Sequence, residues 1–202
     1  MKAYNVINTR IPRVDATAKA TGEARYTADL SLPNMLYGAI LQSPLAHAKI
    51  LNIDTTRALR LPGVRDVVTA KEAPPVKYGV SPARYDETIF CIGRARYVGD
   101  EIAAVAAEDL ETAMEALSLI KVEYEPLPAY LDIESAMRDG AIAIHGDYPG
   151  NISAEVHQVF GNFDEAIREC DIVRTDRFVN KRQDGGFLEP QACIAHFDLN
   201  GN

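Results

Sequence analysis

Four histidines, three cysteines and a pair of carboxylates beside two glycines are the side chains in this sequence with the chemistry for a site. His47, His145, His157 and His196 stand at spacings that match no metal-binding pattern. A lone histidine is more often a hydrogen-bonded structural residue than a ligand. Cys91, Cys170 and Cys193 lie far apart without a CxxC pair, so they signal neither a zinc site nor an iron–sulfur cluster. Each is expected to be a reduced, partly buried thiol. Asp184 and Glu189 flank "GGFLEP", where a carboxylate among apolar neighbours could titrate high enough to serve as a base. A surface or interface role is the commoner one for such acids. The pair Gly185-Gly186 most simply lets two backbones approach closely, with a ligand-facing role as the alternative. No G-x-G-x-x-G, G-x-x-x-x-G-K-[ST] or G-x-S-x-G occurs, so no dinucleotide, nucleotide or serine-nucleophile site is signalled. Residue chemistry alone names no reaction.

Positioning of these residues depends on elements that short-range pattern makes legible. In "GAILQSPLAHAKI", Ser43-Pro44 interrupts two strand-like runs, Tyr37 to Leu41 and Lys49 to Ile53, because proline cannot donate to a ladder and restricts its predecessor. Downstream, Asp54 is placed to cap a short helix ending before Pro62-Gly63, and Val64 to Thr69 reads as a strand. Ile102 to Ala107 is a continuous apolar run suited to a strand covered on both faces. Asp109 then caps a helix in which Leu110, Ala113, Met114 and Leu117 share one face, and Lys121 to Glu125 resumes the strand period. The order strand, helix, strand is read as a βαβ unit with a right-handed crossover. Two prolines in "EYEPLPAYLD" put a seam around Pro126 to Leu131.

Beyond the seam the pattern predicts a strand, a helix and an extended segment over Asp171 to Val179. Asn162 with Glu165 resembles a capping box, and Phe163, Ala166, Ile167 and Cys170 form the expected buried stripe. "QACIAHFDLNGN" reads as a strand entering a hairpin turn at Asn200-Gly201, with no returning strand. An unpaired edge there implies the N-terminal piece of something longer or a partner that completes the sheet, with an edge shielded by another part of the same chain as the alternative. Homo-oligomerisation through these strands, or a mobile second half, is the corresponding expectation.

Composition narrows the partners. With 202 residues, 47% hydrophobic and 25% charged, the chain is globular and long enough for one or two domains. A formal net charge of -8 without a compensating basic run argues against nucleic acid. No run approaches the roughly 20 apolar residues of a membrane helix, and the N-terminus lacks the apolar core of a signal peptide, so a cytoplasmic protein without a membrane partner is expected.

Several stretches in this order resemble the large molybdopterin-binding subunit of the xanthine dehydrogenase and aldehyde oxidase family. They are "IPRVDATAKATGEARYTADLSLPNMLYGAILQSPLAHAKI", "LPGVRDVVTA", "ARYVGDEIAAVAAEDLETAMEALSLIKVEYEPLPAYLDIESAM" and "FLEPQACIAHFD". Within it, "KVEYEPLPAYLDIESAMRDGAIAIHGDYPGNI" is similar to the 4-hydroxybenzoyl-CoA reductase branch. The resemblance implies an α/β (α+β) chain with an N-terminal extension over 1–24, an α/β-hammerhead domain over 25–130, and the incomplete beginning of a molybdopterin-binding domain over 131–202. It implies a molybdenum hydroxylase-type oxidoreductase, with molybdopterin-molybdenum in the complete subunit and iron–sulfur clusters and FAD on partner subunits or domains. Family members hydroxylate a small-molecule substrate with oxygen from water, and the 4-hydroxybenzoyl-CoA branch removes a hydroxyl reductively.

The family's pterin contacts, its "GGGFGG" loop and its glutamate base have no counterpart in the matching stretches. Gly185-Gly186-Phe187 precedes Leu188-Glu189-Pro190, an earlier motif, and is not that loop. No catalytic, cofactor-binding or metal residue is therefore assigned, the chain is expected to be inactive alone, and it is expected to hold no cofactor. Ser43, Pro44 and His47 match a hammerhead signature, which implies a domain corner with His47 hydrogen-bonded to backbone. The rival reading is a non-catalytic hammerhead-type protein that binds a partner or aids assembly.

Overall fold

A computed structural model describes residues 6–7, 9–80, 85–189 and 191–197. The Asn200-Gly201 turn expected from the sequence lies outside them. The chain divides into two units, Met1–Pro33 with Arg174–Asn202, and Asn34–Val173. In the first, helix α1 (Ala16–Thr21) begins beside Asp15, whose carboxylate pairs with Arg13 at 3.0 Å and Lys19 at 2.7 Å. Gly22 ends it in the left-handed region, at φ 78°. The helix buries none of its residues.

The second unit holds the core. Strand β1 (Tyr37–Gln42) leads to β2 (Ala48–Asp54), helix α2 (Thr56–Leu59) and β3 (Val64–Thr69). Asp54 Oδ1 accepts from the Thr56 N–H at 2.9 Å, but the N-cap is Thr55, without a side-chain capping bond, so Asp54 forms an Asx turn leading into the helix instead of the expected cap. A two-residue strand β4 (Arg94–Ala95) precedes β5 (Glu101–Ala107), helix α3 (Leu110–Leu119) and β6 (Lys121–Pro126). The Asp109 cap forms: its Oδ1 accepts from the Thr112 N–H at 2.7 Å and its Oδ2 from the Thr112 hydroxyl at 3.0 Å.

The strands make two antiparallel sheets ordered β1-β5-β3 and β4-β2-β6. This overturns the βαβ reading. Both edges of β5 are occupied, by β1 from Tyr37↔Ala107 to Gln42↔Glu101 and by β3 from Val64↔Ala107 to Thr69↔Ala103. The chain leaving α3 therefore joins the other sheet, where β6 pairs with β2 from Asp54↔Lys121 to Ala48↔Pro126. Helix α3 links two sheets instead of crossing over one.

Alanine sets how closely these layers approach. Ala103, Val105 and Ala107 of β5 meet Ala113, Ala116 and Ile120 from α3 and its C-terminal end, with Ala39, Ala58 and Val67 in the same cluster. Small side chains on facing elements permit close packing without voids. Ile102 points the other way, into a second cluster with Cys91 and Ala95, so β5 is covered on both faces as its apolar run predicts. Leu41, Ile53 and Val122 pack against both clusters and bind the sheets together. The helix face meets half of the sequence expectation: Ala113 is buried and Leu117 packs against the core, but Ala116 is buried with them while Leu110 and Met114 are 53% and 56% exposed. Gly63 completes the turn before β3 at φ 89°, a conformation that favours glycine, and a Cβ there would press on the Thr112 methyl of α3 at 3.2 Å.

Beyond β6 the expectation of strands also fails. Helix α4 (Ile133–Ala136) and helix α5 (Phe163–Arg168) are the α-helices among the described residues there, and residues 152–160 and 171–189 carry no strand pairing. Gln191 to Phe197, read as a strand, pairs with no strand among the described residues. Asn162 Oδ1 accepts from the Glu165 N–H at 3.3 Å, so the cap is present. The stripe beneath it is not buried: Phe163, Ala166, Ile167 and Cys170 are all exposed. An amphipathic helix gains its buried face only from a neighbouring layer, and among the described residues none covers this one.

Candidate functional site

Two places in the Asn34–Val173 unit gather polar side chains, and the first is the buried corner between β1 and β2. Ser43, 2% exposed, caps its own turn: its hydroxyl accepts from the Leu45 N–H at 3.1 Å and lies 2.9 Å from the Leu45 carbonyl. Its backbone is pinned to the loop before β5, through Ser43 N–H to Asp100 O and Gly99 N–H to Ser43 O, each 2.8 Å. His47 is 5% exposed, and its Nδ1 lies 2.6 Å from the Pro128 carbonyl. A carbonyl only accepts, so Nδ1 carries a proton and donates it, and the other ring nitrogen is Nε2. That Nε2 is buried and has no partner among the described residues. The Leu127 N–H donates back to the His47 carbonyl at 2.9 Å, so His47 clamps the corner to the chain just past β6.

The second place is an open cavity of about 520 Å³ between β4 and the segment 142–146. Lys49, Arg94 and Arg96 supply its charge, and Ile92, Ile142 and Ile144 its apolar wall. Arg94 Nη1 donates to the Ala143 carbonyl at 2.9 Å, and Arg96 Nε to the Ile144 carbonyl at 3.1 Å. Asn151 holds that segment in place, donating from Nδ2 to Ala136 O at 2.7 Å and Ile142 O at 3.2 Å while Oδ1 accepts from the Ile144 N–H at 2.8 Å. Residue-by-residue reading passed over the arginines because they form no basic run. They flank Ala95, the last residue of β4, and it is the fold of segment 142–146 that brings both to one cavity.

The remaining candidates are not brought together. Among the described residues no three His, Cys, Asp or Glu side chains converge to hold a metal ion. His145 is half-buried, and burial, followed by the charge of Arg96, pushes its pKa below the usual value. His157 is exposed, 2.9 Å from Glu155, and His196 is exposed. Cys91 is buried, and desolvation followed by a hydrogen bond with Asp100 pushes its thiol far above the usual range. Cys170 and Cys193 are exposed, against the expectation of partial burial. Asp184 and Glu189 are both exposed, so burial does not tune either as a base. At Gly185 a Cβ would meet the Phe187 ring at 3.0 Å, and Gly186 sits at φ 55°, so a local turn onto a side chain, not two converging backbones, accounts for the pair.

Residues 21–128 match the family model described as "Aldehyde oxidase and xanthine dehydrogenase, a/b hammerhead domain". Over 200 residues, 99% of this chain and 46% of the relative, the sequence is 35% identical to the nicotinate dehydrogenase large molybdopterin subunit of Eubacterium barkeri. It is 40% identical to a probable xanthine dehydrogenase subunit of Bacillus subtilis over 91% of this chain and 24% of that one. The aldehyde oxidoreductase of Desulfovibrio gigas superposes on 68% of this chain and 16% of its own, with a TM-score of 0.63 and 36% identity. The chain thus spans less than half the length of the relatives it matches.

Proposed function

The chain belongs to the aldehyde oxidase and xanthine dehydrogenase family, and from that membership we infer that it is the N-terminal portion of a molybdenum hydroxylase-type oxidoreductase subunit that does not catalyse alone. One observation carries this reading: a hammerhead match over 21–128 in a chain that corresponds along almost its whole length to part of a molybdopterin subunit. In this reading residues 25–130 are the hammerhead and residues 131–202 begin the molybdopterin-binding domain. Iron–sulfur and FAD subunits or domains would be its redox partners, and an aldehyde or nitrogen heterocycle its substrate.

The described residues do not fit the metal group. No three ligating side chains converge, and the Gly185-Gly186 pair is closed by its own neighbour's ring instead of forming a cradle. The bound molybdenum would supply the redox chemistry from elsewhere in the complete subunit. What this chain contributes is a packed scaffold, with two sheets locked through Leu41, Ile53 and Val122 and the His47 corner tied to the start of the next segment.

Expression of the chain fused to the remainder of its subunit, with iron–sulfur and FAD subunits, tests the proposal. Stoichiometric molybdenum by elemental analysis and dye reduction with an aldehyde or nitrogen heterocycle are expected of the fusion, and neither of the 202-residue chain. Turnover by the isolated chain, or full turnover by a subunit lacking these residues, would overturn it.

A further inference from the structure

Among the described residues the two half-buried arginines of the β4 cavity have no counter-ion, and we propose that they bind a carboxylate there. Arg94 and Arg96 flank Ala95, which is fully buried, and both arginines line the cavity. The Ala143 and Ile144 carbonyls orient the two planes without neutralising them, and Arg96 Nη1 also donates to Arg94 O at 3.4 Å, again to a neutral acceptor. Among the described residues neither arginine forms an ion pair. That is not for want of acids, since the chain has 29 Asp and Glu against 21 Lys and Arg. The nearby Asp100 uses its carboxylate on the Arg96 backbone N–H at 2.7 Å, and Lys49 is already paired with Glu125 at 2.8 Å. The field of Arg96 also reaches His145, lowering its pKa after the larger effect of burial.

A cation drawn partly out of water without an anion is costly, so the uncompensated pair marks a position where an anion would be stabilised. The guanidinium fork matches the two oxygens of a carboxylate. At about 520 Å³ the cavity holds more than a bare ion. Ile92, Ile142 and Ile144 give an inorganic anion nothing in exchange for its lost hydration, but they give a hydrocarbon or aromatic body apolar contact. The ligand is therefore an organic carboxylate, whether a free acid or the side chain of an Asp or Glu from a protein partner.

Amide NMR on the full 202-residue chain separates these sources. Benzoate stands for a free organic acid, the blocked peptide acetyl-Ala-Glu-Ala-amide for a partner's side chain, and inorganic phosphate and chloride for plain charge. Saturable shifts at Gly93, Arg94 and Ile144 are expected with at least one carboxylate, at least tenfold tighter than with phosphate or chloride. Tighter benzoate binding identifies a free acid, and tighter peptide binding a partner. Arg94→Lys with Arg96→Lys keeps the charge but removes both forks, and is expected to weaken the carboxylate at least tenfold. No saturable shift with either carboxylate, shifts that map elsewhere, phosphate binding as tightly, or unchanged binding in a folded double variant would each overturn the proposal. The wild-type titrations decide alone if that variant does not fold.

Discussion

His47 Nδ1 lies 2.6 Å from the carbonyl oxygen of Pro128, across 81 positions of sequence. With the Leu127 N–H to His47 O bond, this makes a two-point clamp between the β1–β2 corner and the end of β6. The histidine's buried side chain thus acts on architecture, since its proton is held on a main-chain oxygen and its Nε2 is shut away from solvent.

Replacing this side chain leaves the Pro128 carbonyl without its donor and opens a void. His47→Ala is expected to destabilise the Asn34–Val173 unit by about 2–4 kcal/mol in urea unfolding followed by far-UV circular dichroism. His47→Asn, which can still present an N–H, is expected to lose less. Equal losses would show that volume alone matters. In a complete enzyme, a stable His47→Gln holoenzyme with turnover abolished would contradict the architectural role.

The face of α3 that meets the sheet can be tested by size. Ala116 is fully buried against β1 and β5, so Ala116→Leu is expected to cost about 1–3 kcal/mol by overpacking. Met114 is 56% exposed, and Met114→Ala is expected to stay within about 0.5 kcal/mol of the parent. The reverse order, read from thermal or urea midpoints, would restore the face built on Leu110 and Met114.

Thiol reactivity should follow burial. Cys170 and Cys193 are exposed and are expected to react with a chromogenic disulfide reagent in the native chain, while Cys91 reacts only on unfolding. The native environment of Cys91, through desolvation and then Asp100, favours its protonated form. Its folded pKa is raised, so its contribution to stability is full below the unfolded thiol value of about 8.5 and is lost as pH rises beyond it. A Cys91→Ala variant is expected to show a shallower loss of stability between pH 8 and 10, and an identical slope would refute the assignment.

At the acid end the Asp109 cap has the opposite sign. Its carboxyl is held below the usual range by the Thr112 N–H and then the Thr112 hydroxyl. A depressed folded pKa contributes stability above the unfolded value of about 3.9, and that contribution fades as pH falls through the folded value. Asp109→Asn keeps a neutral cap, so the parent is expected to exceed it in urea midpoint near neutral pH and to converge with it in acid. A gap independent of pH would show that the charge contributes nothing.

Hydrogen exchange should divide the chain near the seam. Amides of Ile102 to Ala107 are expected to exchange slowest, because β5 is paired on both edges and covered on both faces. Residues 171–189, without helix or strand, are expected to exchange fast in the isolated chain and to slow when the rest of the subunit is joined. Uniform slow exchange across both regions in a monomer would contradict this.

Local pattern determined much of the first half. The runs at Tyr37, Lys49, Val64, Ile102 and Lys121 all became strands, and Asp109 took its place as the cap of α3. Alternation, capping and proline sterics act over a few residues, so they can be read one window at a time. Only the tertiary structure decided which edges paired. The sequence order suggested that β5, α3 and β6 share one sheet, but β1 and β3 occupy both edges of β5 and send β6 to β2. It likewise decided that α3 buries Ala116 beside the expected Ala113 and leaves Leu110 and Met114 exposed, since close approach to an alanine-rich strand favours small residues at the contact. Beyond the seam, pattern predicted a buried stripe on α5 that no neighbouring layer covers. The β4 cavity arises the same way: Arg94 and Arg96 are two ordinary cations in the sequence, and it is the distant segment 142–146, folded against them, that turns them into a pair without a counter-ion.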